Sequence, residues 1–241
     1  MKNVTAKIRK HYPVSDKALQ AMLEKMSVAH CPKNTMLVRA GNIDRNVYFI
    51  EEGVTRSIFH KDGTDTTTWF SMEGDITFGM YPLYHNTPSL ESIETVTDCI
   101  IYTIPIDELN NLYEKHIDIA NWGRIIHQEC NILLSILFVE RLQLPPKERY
   151  ARFLEHYPGL LNRVKLKYVA EFLGISIYTL SRIRSEKCFF AQKQRNAHNA
   201  LISLQTRDWN QHDTICKKAL FHRQVLPIRN RITNSLTGCV A

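Results

Sequence analysis

Ser176, Ile177, Tyr178, Thr179, Ser181, Arg182 and Arg184, with Lys167 shortly before them, form the group whose types and spacing best suit recognition chemistry. Ser176 suits the N-cap of a helix. On a helix begun there, Ile177, Tyr178, Ser181 and Arg182 share the exposed N-terminal face, the part able to enter a DNA major groove. Arg182 has the donors to read guanine or to hold a phosphate. No other constellation is as specific. Six cysteines (Cys31, Cys99, Cys130, Cys188, Cys216, Cys239) show no C-x-x-C pair, so zinc-finger and iron–sulfur spacings are absent and inert free thiols are expected. His60 and His85 stand alone where a cupin-type metal site needs His-x-His with a carboxylate and a later histidine. His30, His116 and His127 are equally scattered, which leaves no haem ligand pair. With no G-x-S-x-G elbow, Walker loop or G-x-G-x-x-G fingerprint, the chain reads as a non-enzyme without a metal.

The elements that must position this group can be read around it. Residues 164–184 have helix-turn-helix spacing: Ala170 is small where two helices cross, Gly174 takes the positive φ of the turn, and Leu180 faces back into a core with Val169, Leu173, Ile175 and Ile183. Pro145-Pro146 ends the preceding helix and marks a boundary. That helix is predicted from about Asp118 to Leu142. Its apolar residues Ile119, Trp122, Ile126, Cys130, Leu133 and Leu137 recur near every 3.5 positions, a seam that wants a partner helix. Ile125, Ile132 and Leu134 widen the stripe, so packing on its own domain is also open. A shorter helix is predicted over Asp107 to His116, with Asp107 and Asp118 at helix starts.

Farther upstream the chain reads as short strands: Thr35–Arg39, Asn46–Glu51, Thr55–His60, Thr66–Phe70, Ile93–Thr97 and Ile100–Ile104, after a helical opening from Ala18 to Met26. Gly41-Asn42, Glu52-Gly53, Asp62-Gly63 and Gly74-Asp75 punctuate them, which predicts an antiparallel roll, barrel or sandwich.

The charge divides the same way. In a chain of 241 residues with formal charge +7, residues 1–144 hold 14 Lys and Arg against 18 Asp and Glu. Residues 145–187 hold 9 against 4, and residues 188–241 hold 8 against 2. A basic C-terminal part joined to an acidic N-terminal part implies an anionic partner such as nucleic acid. No apolar run approaches the ~20 residues of a membrane span, and the basic start (Lys2, Lys7, Arg9, Lys10) is followed by no apolar segment. A cytoplasmic protein without membrane contact is expected.

Gly41, the run Val47-Tyr48-Phe49-Ile50-Glu51-Glu52-Gly53, Gly74-Asp75-Ile76-Thr77-Phe78-Gly79 and Leu173-Gly174-Ile175-Ser176 with Thr179-Leu180-Ser181-Arg182-Ile183 occur in this order. Over about residues 10–187 this set resembles the Crp/Fnr transcription regulators, with Tyr168-Val169-Ala170 and Leu180-Ser181-Arg182-Ile183-Arg184 similar to Bacteroidetes members. The resemblance implies an α+β chain: an N-terminal antiparallel β-roll of the jelly-roll, double-stranded β-helix type, a long dimerisation helix, and a small helix-turn-helix domain. The expected divisions are a cyclic-nucleotide-binding-like sensor roll at 1–117, the dimerisation helix at 118–144, the DNA-binding domain at 145–187 and a basic extension at 188–241. It further implies a homodimer on a two-fold-related operator in double-stranded DNA, with RNA polymerase as a further partner and a small-molecule effector of unknown identity. A sensor-like dimeric scaffold whose DNA binding is lost or ligand-independent is the alternative.

The resemblance places an effector pocket at Phe78, Gly79, Met80, Glu91 and Ser92. The family's nucleotide binders carry Glu and Arg where this chain has Met80 and Glu91. A carboxylate facing a phosphate is repulsive, so no tight cyclic AMP binding is expected. The residues after Lys187 contain no Glu and show weak periodicity, and the winged hairpin of many members is not readable there.

Overall fold

A computed structural model describes residues 1–185; the extension at 188–241 and Lys187 lie outside the described residues. The order is α1 (Lys2–His11), α2 (Asp16–Leu23), β1 (Ser27–Cys31), β2 (Met36–Val38), β3 (Asn46–Glu52), β4 (Thr55–Lys61), β5 (Thr64–Ser71), β6 (Ile76–Thr77), α3 (Met80–His85), β7 (Glu91–Thr95) and β8 (Cys99–Pro105). Then follow α4 (Ile106–Lys115), α5 (Ile117–Gln143), α6 (Pro146–His156), a 3-10 turn (Leu160–Asn162), α7 (Leu166–Leu173) and α8 (Ile177–Ser185). Two four-stranded antiparallel sheets, ordered β1-β8-β3-β6 and β2-β7-β4-β5, form the expected roll.

Strand β3 shows why its sequence is apolar without alternation: both faces are covered. Val47 and Phe49 pack with Ile8, Met22, Ile104, Leu109, Ile119 and Trp122 under the helices. Tyr48 and Ile50 point the other way, to a cluster with Val38, Ile93, Cys99 and Ile101. Phe49 stacks on Trp122 with ring centroids 6.0 Å apart. Asp62 and Gly63 both take positive φ, 51° and 75°, joining β4 to β5 by the primed turn that matches strand twist.

Several elements differ from expectation. The opening helix spans Asp16–Leu23, capped by Ser15 Oγ, and the chain turns before Met26 to enter β1. Helices α1 and α3 and strands β1 and β6 were not expected. Helix α1 buries only Val4 and Ile8 and is anchored by Glu51, whose carboxylate accepts the backbone N–H groups of Lys2, Asn3 and Val4. Burial pushes the Glu51 pKa up, but these three bonds outweigh it and hold it below the ordinary value. Helix α3 lies between the expected pocket residues Gly79 and Glu91. Asp107 and Asp118 do stand at the helix starts, in the first turns, with Pro105 and His116 at the cap positions before them. The Asp118 carboxylate accepts from Ser15 N–H at 2.8 Å and Ser15 Oγ at 2.6 Å.

The long helix is present as α5, and the expected seam divides. Ile119 and Trp122 are buried in the chain's own core and cannot meet a second copy. The roll needs a cover over Phe49, and the first turns of α5 supply it. Ile126, Leu133 and Leu137 are half-buried and Cys130 is exposed. The large apolar residues left open are Ile117 at its start and Ile132, Leu134, Phe138, Val139 and Leu142 in the distal half.

Candidate nucleic-acid interface and effector cleft

Helix α7 ends at Gly174, whose φ of 63° lets its N–H return to the Glu171 carbonyl at 3.0 Å while Ile175 N–H reaches the Ala170 carbonyl at 3.0 Å. Ser176 Oγ then accepts the Thr179 N–H at 3.0 Å and starts α8. Leu180 and Ile183 are fully or nearly buried, as are Val169, Ala170 and Leu173 across the turn. With these side chains inward, Ile177, Tyr178, Ser181 and Arg182 lie outward; Tyr178 is 84% exposed. Thr179 is half-buried by its contact with Ser176. Arg184 is exposed, with its guanidinium near the Tyr150 hydroxyl of α6, whose pKa burial raises and this cation lowers. Lys167 is exposed at the start of α7, with Nζ 3.8 Å from the Glu171 carboxylate.

The two-helix unit is fastened to the roll by residues that sequence reading missed. Arg56 of β4 is only 5% exposed. It donates to Glu94 at 2.8 Å and to Thr67 Oγ1 at 2.9 Å, lies 3.3 Å from Glu171 Oε2, and sits 3.6 Å from the Tyr168 ring centroid. Glu171 Oε2 also accepts from Thr67 N–H and Oγ1 at 3.2 and 2.7 Å. Beside this cluster Phe70, Phe153, Tyr157 and Phe172 meet edge-on and tilted, with centroids 5.3–6.3 Å apart. Arg163 forms a two-pronged bridge to Glu73 at 2.8 and 2.5 Å. Burial raises the Glu73 pKa, and the Arg163 contact overrides it to hold the carboxylate below its ordinary value.

The residues expected to form an effector pocket come together only in part. Gly79 precedes α3, and Met80 begins it half-exposed. The Glu91 carboxylate of β7 lies toward the Met80 N–H; burial raises its pKa, against the lowering effect of that amide. Ser92 Oγ is used structurally, accepting the Ala40 N–H at 3.0 Å. Phe78 turns away to line a separate cleft of about 280 Å³ between α3, α4 and α5, where it meets Tyr84 edge-on at 5.9 Å. The residues present do not fit a cyclic phosphate: a carboxylate, Glu91, lies toward the amide at the start of α3, and no arginine stands at position 91. Among the described residues no group of three His, Cys, Asp or Glu could hold a metal ion, and no helix is long and apolar enough to cross a membrane.

Residues 28–116 match the family described as cyclic nucleotide-binding domain. FixK2 from Bradyrhizobium japonicum is 17% identical, with a TM-score of 0.58 over 67% of this chain and 83% of its own. The c-di-GMP-responsive global regulator CLP from Xanthomonas campestris is 16% identical, with a TM-score of 0.58 over 71% and 91%. A transcriptional regulator assigned to the Crp/Fnr family from Eubacterium rectale is 16% identical, with a TM-score of 0.56 over 72% and 85%. No curated protein matches the chain significantly. Identities this low establish the architecture alone. Residues 28–116 are therefore similar to a cyclic nucleotide-binding domain, and the chain shares the fold of these solved regulators, one of them assigned to the Crp/Fnr family.

Proposed function

We propose that this chain is a homodimeric, sequence-specific DNA-binding transcription regulator acting in the cytoplasm, with the roll as the sensor of a small effector. The observation that carries the reading is the outward face of α8: Leu180 and Ile183 are buried, while Tyr178, Ser181 and Arg182 are free for base edges. Lys167 and Ser176 flank that face for phosphate contact, and the helix-turn-helix region carries a net positive charge. The open stripe Ile132, Leu134, Phe138, Val139 and Leu142 supports pairing of two α5 helices, which would set two α8 helices on half-sites about one DNA turn apart, ~34 Å. The effector acts by population shift between two arrangements, not by catalysis. RNA polymerase is the partner through which such a regulator would act.

The test is operator affinity of the full chain and of Arg182→Ala, at fixed salt, on a sequence selected by the full chain. Loss of a bidentate guanine contact weakens specific binding by about 1–3 kcal/mol and leaves non-specific binding nearly unchanged. Equal loss on specific and non-specific DNA would make Arg182 a phosphate contact; no loss on either would remove it from the interface.

A further inference from the structure

We infer that the cleft between α3, α4 and α5 is a binding site for a small uncharged, largely apolar molecule carrying a hydrogen-bond acceptor oxygen. It is separate from the Met80–Glu91 region where the resemblance places an effector. Three observations carry it. The cleft, about 280 Å³, has apolar walls that include Phe78, Leu83, Leu109 and Ile126. Trp122, 2% exposed and part of the same lining, holds a buried Nε1–H with no partner, a donor that a ligand oxygen would satisfy. The lining contains no Lys, Arg, Asp or Glu, so an ionic ligand would be desolvated without a counter-charge. The volume lies just below the ~300–1,000 Å³ of drug-sized pockets, which suits a small ring or short chain better than a nucleotide.

Part of the polar rim is matched within the chain: His127 Nδ1 lies 2.7 Å from the Gly123 carbonyl, to which it can only donate, and Nε2 meets the Tyr84 hydroxyl. Asn110 and Tyr113 add polar groups to the lining, and the Trp122 N–H is a fully buried donor without a partner. Gly123 is required here, since a Cβ at this position would lie 2.8 Å from the Tyr113 hydroxyl. An occupant would touch α3 and α5 together, and α5 is also the helix that carries the open apolar stripe. The binding claim stands on the cleft; any effect on DNA rests on the regulator reading.

The experiment uses the full chain labelled with 15N-tryptophan, whose three indole signals are assigned with Trp122→Phe. Acetophenone is titrated as probe, with ethylbenzene as the same shape lacking the oxygen and benzoate as the charged counterpart. The expected result is a saturable downfield shift of the Trp122 indole proton with acetophenone, no such downfield shift with ethylbenzene, and binding of benzoate weaker by about tenfold or more. Ile126→Phe, which fills the cleft from a half-buried position, abolishes the shift while the far-UV spectrum and melting curve stay near those of the parent. An unmoved Trp122 signal up to the solubility of acetophenone, an equal response to benzoate, or an unchanged shift in folded Ile126→Phe overturns the inference. Because the readout is the free protein, absence of DNA binding would count against the regulator reading and leave this result standing.

Discussion

Replacing Arg56 by alanine tests whether the roll and the two-helix unit are mechanically one body. The guanidinium is 5% exposed and touches Glu94, Thr67, Glu171 and the Tyr168 ring at once. Its removal leaves two largely buried carboxylates facing each other without a cation, the case in which breaking a buried pair costs about 3–5 kcal/mol. Loss of the ring contact adds on the order of 1 kcal/mol. Set against a total stability of about 5–15 kcal/mol for an ordinary domain, this is a large fraction. Glu171→Gln is milder because the amide oxygen still accepts from Thr67, and it is expected to cost about 1 kcal/mol. Urea unfolding of the parent, both single variants and the double variant gives the coupling energy, expected to be at least about 1 kcal/mol for groups in direct contact. A loss below about 1 kcal/mol for Arg56→Ala, or additivity with Glu171→Gln, would refute the argument that this cluster holds the two parts together.

Gly174→Ala forces an alanine into φ 63° and should cost about 1–2 kcal/mol in urea unfolding, since the added Cβ meets only the movable end of Arg141. Phe138→Asp removes one anchor from each copy of a two-fold helix pair; at ~2 kcal/mol per buried side chain the dimer should weaken by roughly a thousandfold, read by sedimentation equilibrium, whereas an unchanged dimer would place the interface elsewhere. Glu91 has a folded pKa raised by burial, so the folded chain holds that proton more tightly than the unfolded one. Stability therefore falls as pH rises from the ordinary glutamate range through the raised value, and Glu91→Gln should flatten this slope and stabilise the chain at neutral pH relative to acid. A parallel pair of stability curves would contradict it.

What could be read from the residues follows from how local the governing interactions are. The turn at Gly174 and the cap at Ser176 are satisfied within a few residues, and both were legible, as was the outward set on α8. The roll was legible because glycine turns recur at strand spacing and β3 is apolar on both faces. Helix α1 was hidden because its anchor, Glu51, lies some 48 residues away. Helix α3 was hidden by Pro82 and by two tyrosines that carry no helical stripe. The seam of α5 looked continuous because burial in one's own core and burial against a second copy leave the same periodicity. Trp122 and Cys130 share that pattern and have opposite exposures. The Arg56 cluster joins residues more than a hundred positions apart, and no spacing rule reaches that far.

The central claim is that the outward face of α8 reads DNA sequence. The direct measurement is selection from a random duplex library at physiological salt, with the full chain and with the Tyr178→Ala, Arg182→Ala double variant side by side. The account predicts an enriched palindrome for the parent, with half-site centres about one turn apart, and loss of that enrichment in a variant that stays folded and dimeric. Enrichment of the same palindrome by both proteins, or of no sequence by the parent, would contradict it.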